Sequence, residues 1–256
     1  MAPSPCLNTP ESSSTISVSV IETTSRIIAK TGLVNVSDIL KDGISQISAI
    51  IWSHHHFDHI GDPSTFPSST ALVVGPGFKN EFLPGYPANP ESWIKESDYA
   101  GREMIDQYDA VDYFGDGSFY LLDCPGHTIA HIMGLARTTP DTFVLMAADC
   151  CHHGGEFRPS RFRPLPASID IPSTEFANRA FYELNNPNDS EMVREAMNSQ
   201  RKLEEFDGSE NVLVLTAHDS DAADIIDFYP KTVDDWKSKG WKEQLYWAFL
   251  HDFEVE

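Results

Sequence analysis

Basic residues are scarce in this chain: 18 Lys and Arg stand against 39 Asp and Glu, a formal net charge of −21 over 256 residues. Such a balance repels phosphate backbones and anionic bilayers, so neither nucleic acid nor a membrane surface is expected as a partner, and a small anionic or neutral substrate remains. Cysteine is scarce too. Cys6, Cys124, Cys150 and Cys151 make no disulfide framework at this length, and the adjacent Cys150-Cys151 pair is badly placed to bridge; a reducing, cytoplasmic setting is the expectation. No apolar run reaches the roughly 18 residues that a membrane span needs. Residues 1–15 lack the basic and apolar blocks of a secretory signal. Also missing are a Gly-x-Ser-x-Gly elbow, a Gly-rich phosphate loop and a dinucleotide fingerprint, which removes the sequence basis for serine-hydrolase, nucleotide and nicotinamide chemistry.

What the chain does have is apolar sequence in short blocks, 41% of it hydrophobic, enough for a sizeable core. Residues 1–15, rich in Ser, Thr and Pro, read as a disordered tail, and residues 16–256 as a single domain. Ile16, Val18 and Val20 alternate with polar residues as in an edge strand. Residues 36–43 read as a short helix stopped by Gly43, leading into a strand at 47–52. Residues 71–74 read as a buried strand. The Pro- and Gly-punctuated stretch 75–89 is a loop, and its Phe78, Phe82 and Tyr86, with Trp93 beyond, suit either a lid over a site or a core-covering loop. Gly115-Asp116-Gly117 marks a hairpin turn ahead of a strand at 119–122. Met192, Val193, Ala196, Met197 and Leu203 recur at helical spacing over 190–206, which predicts an amphipathic helix with its methionines in the core.

The chemistry is concentrated in His54-His55-His56-Phe57-Asp58-His59, directly after the strand at 47–52. In an extended chain alternate side chains share a face, so His54 and His56 project together toward one ion and His55 points away. Asp58 and His59 fall where the chain turns, facing a second ion. Three further blocks place a polar residue just past an apolar run: His127, Asp149 and His218. Strands ending on one rim of a sheet would gather these beside the first cluster. His54, His56 and His127 then offer nitrogen donors to one ion, Asp58, His59 and His218 serve another, and Asp149 bridges. Imidazole and carboxylate donors without thiolate suit two divalent ions, Zn2+ by default, with iron, manganese and cobalt as alternatives. Two such ions roughly 3.5–4 Å apart can share a hydroxide nucleophile, with Asp58 or Asp149 as the catalytic carboxylate that passes a proton to the leaving group.

Taken in order, His54-x-His56-x-Asp58-His59, Pro125-Gly126-His127-Thr128, Ala148-Asp149 and Ala217-His218-Asp219 resemble the metal motifs of the metallo-β-lactamase superfamily, and residues 47–221 resemble its fungal lactonase- and lactamase-like members. The resemblance implies an α/β (α+β) fold, a four-layer αβ/βα sandwich with metals at one edge. It also implies a binuclear hydrolase acting on a small lactone or lactam. A thioesterase of the glyoxalase II-like or polyketide-releasing type, and a non-catalytic metal-binding relative, are the alternatives. Family members carry an Asp-x-Gly turn between N-terminal strands ahead of the histidine cluster. Lys30-Thr31-Gly32 stands there instead, so a truncated first sheet is expected.

Around this constellation, Tyr86 is a candidate to polarise a substrate carbonyl. The 154–159 loop, with Phe157, Arg158 and nearby Arg161, either borders the pocket and offers an arginine to a substrate carboxylate or is plain surface. His131 either orients the site or is a satisfied core histidine. Cys150-Cys151-His152-His153 lacks a distant second pair and reads poorly as a separate zinc site.

Overall fold

A computed structural model describes residues 36–101, 104–106, 110–169, 179–184 and 190–253. The expected tail, the edge strand at 16–20 and Lys30-Thr31-Gly32 lie outside them.

Among the described residues, eight strands form two sheets. In the first, β1 (Ala49–Ile51), β2 (Ala71–Val74) and β3 (Met104–Asp106) run parallel in that order. The second has the order β4 (Val111–Asp112), β5 (Phe119–Asp123), β6 (Ile132–Arg137), β7 (Phe143–Met146) and β8 (Val212–Leu215), antiparallel except for the parallel pair β7–β8. The described helices are α1 (Val36–Leu40), α2 (Phe57–Ile60), α3 (Phe78–Phe82), α4 (Glu96–Tyr99), α5 (Glu191–Gly208), α6 (Ala222–Ile225) and α7 (Trp241–Tyr246).

Strand alternation decides how the layers stack. Leu72 and Val74 face one way, onto Trp52, Ile94 and the Phe78 and Phe82 rings of α3. Val73 faces the other way and meets Leu121 and Ile132 of the second sheet. The far face of that sheet carries Met133, Leu145, Val212 and Val214 beneath Leu203 and Phe206 of α5. Helix, sheet, sheet and helix thus give the four-layer α/β sandwich. At the β7–β8 end the inner face is closed by Ala222, Trp236, Trp241 and Leu245 from the C-terminal segments. No helix among the described residues is long and apolar enough to cross a membrane.

Several sequence expectations change here. The helix at 36 does not stop at Gly43 but tightens into a 3-10 turn over Lys41–Gln46, closed by Ile47 N–H donating to the Ile44 carbonyl at 3.3 Å, the usual way a helix end satisfies its last carbonyls. The stretch 75–89 contains α3, whose Phe78 and Phe82 are buried, so this part of it covers the core rather than forming a lid; Trp93 stands 84% exposed. The helix expected at 190–206 forms, capped by the Ser190 hydroxyl accepting from Val193 N–H. Its buried face, however, is Ser199, Gln200, Leu203 and Asp207, while Met192 is 48% exposed. Polar residues win those positions because α5 docks on loop backbone. Ser199 Oγ donates to the Pro125 carbonyl at 2.8 Å and Gln200 Nε2 to the Cys150 carbonyl at 3.3 Å.

Candidate metal centre

Because β7 and β8 are parallel and β5 is antiparallel to β6, which is antiparallel to β7, the carboxyl ends of β5, β7 and β8 share one rim. His127, Asp149 and His218 follow those ends. The first sheet is joined to the same rim by Ile132 N–H donating to the Ser53 carbonyl at 2.8 Å, which sets the His54–His59 run beside it. Past β1 the chain turns through the single-turn helix α2, whose end is tied by Trp52 Nε1 donating to the Ile60 carbonyl at 2.9 Å. That turn brings His59 back beside the first histidines, its ring centroid 4.2 Å from that of His54.

Seven sequence-derived donors converge. His54 Nε2 lies 3.0 Å from His56 Nδ1, and His56 Nδ1 lies 3.0 Å from His127 Nε2. His59 Nε2 is 3.4 Å from Asp58 Oδ2, and His218 Nε2 is 3.6 Å from the same oxygen. Asp149 sits between the two sets: Oδ2 faces His54, His127 and His218 at 3.6, 3.4 and 3.2 Å, and Oδ1 faces His59 at 3.2 Å. His54, His56, His127 and Asp149 form one group of potential ligands and Asp58, His59 and His218 another.

The donors fit metal ions. Nitrogens bound tetrahedrally at about 2.0–2.1 Å from zinc are about 3.3 Å apart, close to the spacings seen. His59 Nε2 and Asp149 Oδ1 are buried and lack a hydrogen bond of acceptable geometry, although they lie 3.2 Å apart. Buried lone pairs left facing one another are costly unless something cationic lies between them. Protonation states agree, since a ligand nitrogen must be neutral. Burial is the main reason that His54 and His56 titrate below the ordinary imidazole range and that His127 is lowered to about 3. Asp149 stays charged: burial alone would raise its pKa, but contacts with His152 and His59 and the nearby His54 hold it well below the carboxylate range.

His55 turns away, as alternation requires, and stacks on Phe82 with ring centroids 4.1 Å apart. His131 is fully buried with a partner at each ring nitrogen, as the reading of a satisfied core histidine expects. Its Nε2 accepts from Asp149 N–H at 3.1 Å and its Nδ1 lies 3.0 Å from the Cys124 carbonyl, so one neutral ring links the strand end before His127 to that before Asp149. Ala148, with φ of 44°, makes the turn into Asp149 and is held by Ala217 N–H donating to its carbonyl at 2.9 Å.

Three candidates do not join the cluster. Arg158, 4% exposed, commits its guanidinium to Asp207 at 2.7 and 3.0 Å and to the Tyr246 carbonyl, because a buried cation requires a paired anion. Phe157 packs in the core beside Cys151 and Leu203. Tyr86 stands 53% exposed on the loop after α3, held there by its backbone bonds to Ile94 and Glu96. His152, which the sequence offered only within the Cys150-Cys151-His152-His153 run as a poor separate zinc site, comes instead to this cluster, its Nε2 3.3 Å from Asp149 Oδ2. Its spacing of three from Asp149 was the further signal.

Against known proteins, residues 23–144 match the profile of the metallo-beta-lactamase superfamily. The chain is 38% identical to metallo-hydrolase mfmC of Annulohypoxylon moriforme, over 92% of this chain and 71% of that protein. It is 40% identical to gamma-lactamase FDB1 of Fusarium pseudograminearum, over 86% and 62%. Cytochrome P450 monooxygenase mpaDE of Penicillium roqueforti is 45% identical over 86% of this chain, which spans only 28% of that relative's length. A solved N-acyl homoserine lactone hydrolase with N-hexanoyl-L-homoserine at its catalytic metal centre superposes with a TM-score of 0.54 at 20% identity, over 77% of this chain and 67% of that one, a likeness of fold.

Proposed function

We infer, from a chain that belongs to the metallo-beta-lactamase superfamily and is accordingly a metal-dependent hydrolase, that residues 16–256 form one binuclear hydrolase domain opening a small cyclic ester or cyclic amide. The observation that carries this reading is Asp149, a buried carboxylate in contact with imidazoles of both donor sets, Oδ2 with His54, His127 and His218 and Oδ1 with His59.

In this reading His54, His56 and His127 hold one divalent cation, Asp58, His59 and His218 hold another, and Asp149 is shared. When bound, the pair would acidify a water and polarise the substrate carbonyl; the donor set of imidazole and carboxylate favours Zn2+. The protein's own groups do the rest. Asp149, hemmed in by imidazoles and held ionised, keeps the two sets in register rather than exchanging protons. Asp58, on the more open side of the cluster, is the carboxylate that accepts the proton of the attacking water and returns it to the ring heteroatom. The water oxygen adds to the carbonyl carbon, the bond from that carbon to the ring oxygen or nitrogen breaks, and a hydroxy acid or amino acid leaves. His131 fixes the separation of the strand ends that supply His127 and Asp149.

A lactone is our first substrate class, since its carbonyl is the more electrophilic. A γ-lactam is the second, favoured by the 40% identity to a gamma-lactamase. Thioesters could use the same groups and form the third arm of the test. Metal-loaded protein assayed on panels of lactones, γ-lactams and thioesters should turn over the first or second class fastest; preference for thioesters would replace the reading. His56→Ala and Asp149→Ala should each reduce the rate to background with the far-ultraviolet circular dichroism kept. Wild-type rates in either variant would overturn it.

A further inference from the structure

His152 lies outside the motifs that name the other seven donors, yet it is in direct contact with the centre. It follows the 3-10 turn Ala148–Cys150, and its Nε2 is 3.3 Å from Asp149 Oδ2, against 3.2 Å for His218 Nε2 to the same oxygen. Its ring stacks on that of His218, centroids 5.2 Å apart and 17° from parallel, and lies 5.0 Å from that of His127. Asp149, His152 and His218 form a third group of potential ligands, sharing His218 with the group Asp58, His59 and His218. The position is braced from behind. His152 N–H donates to Glu156 Oε1 at 3.1 Å, and Gln200 Nε2 of α5 donates to Glu156 Oε2 at 3.2 Å. The ring itself is 45% exposed, at the solvent side of the centre.

A stray surface histidine has no reason to be braced at its backbone with its ring nitrogen at a buried carboxylate oxygen already facing three other imidazoles. Building on the two-ion reading above, we propose that His152 is an additional metal ligand. Together with Asp149 and His218 it would hold the second cation as an alternative to Asp58 and His59.

The test is metal affinity. Metal-free 256-residue protein is titrated with Zn2+ in competition with a chromophoric chelator. Wild type is expected to take two equivalents, and His152→Ala to bind the first unchanged and the second more weakly by on the order of tenfold or more. Two further variants separate ligation from weaker roles. His152→Phe keeps a ring to stack on His218, and His152→Gln keeps a hydrogen-bond donor for Asp149; both should lose as much as the alanine variant because neither carries an imidazole nitrogen. Second-equivalent affinities equal to wild type in all three variants overturn the proposal, as does recovery in the Phe or the Gln variant, which would make the role stacking or hydrogen bonding. In those outcomes wild type still takes two equivalents and the two-ion reading stands. Uptake of fewer than two by wild type defeats that reading, and this proposal with it.

Discussion

Gly126 is the position with the least room in the centre. Its φ is 128°, and a Cβ built on it would lie 2.2 Å from the backbone nitrogen of Ala196 and 2.3 Å from its Cα. Both partners are backbone, so no rotamer change relieves the clash; α5 or the His127 loop would have to move. Gly126→Ala is therefore expected to cost about 3 kcal/mol, combining overpacking with left-handed strain. Urea denaturation measures it, and a loss under about 1 kcal/mol would mean that the helix yields easily. His54 and His56 are legible because alternation in an extended chain is a local property, and His55 is placed away from them on the same ground. His152 was not, because its arrival depends on the turn at Ala148, a conformation that alanine adopts only under the hold of the neighbouring strand.

At the scale of elements, α5 is the part that sequence periodicity located well and interpreted incompletely. Its span agrees within two residues at either end, since cap and spacing are local signals. The identity of its buried face is not a local matter. Ser199 and Gln200 are buried because unpaired loop carbonyls lie opposite them, and Asp207 because Arg158 approaches from the 154–159 loop. Arg158 was read as a substrate group for want of knowing that partner. The pair is an anchor between α5, that loop and α7. Lys242 of α7 donates to the carbonyls of Asp207, Ser209 and Val212, and burial brings its ammonium down to about 8. Arg158→Met, which leaves Asp207 buried without its cation, should lower unfolding free energy by about 3–5 kcal/mol, whereas removing both charges together should cost much less. Equal losses for single and double variants in chemical denaturation would contradict a coupled pair.

Over the whole molecule, the centre makes stability depend on acid. In the folded chain burial lowers His55 to about 4 and His127 to about 3, and His54 and His56 also titrate below their ordinary range. The unfolded chain, near 6.5 at each, binds more protons between these values. The contribution of these rings is thus complete above about pH 6.5 and is lost as pH falls through 4 toward 3. His152, raised by its contact with Asp149 against the opposing effect of burial, works in the other direction. Metal-free protein should melt at progressively lower temperature from pH 7 to pH 4 by calorimetry, and Zn2+ should steepen that dependence, because its binding displaces protons from the folded chain. A melting temperature flat over that range would refute it. What the sequence by itself determined were the strands β1, β2, β5, β7 and β8, though not β3, β4 or β6, the long helix and seven candidate donors, because spacing of two, spacing near 3.6 and short polar stops after apolar runs are all set within a few residues. Which donors meet, that His152 joins them, and that Arg158 faces an aspartate rather than a substrate were decided by the tertiary structure. Those outcomes depend on which strand ends share a rim and which buried charge needs a partner, and both are relations between segments far apart in the chain.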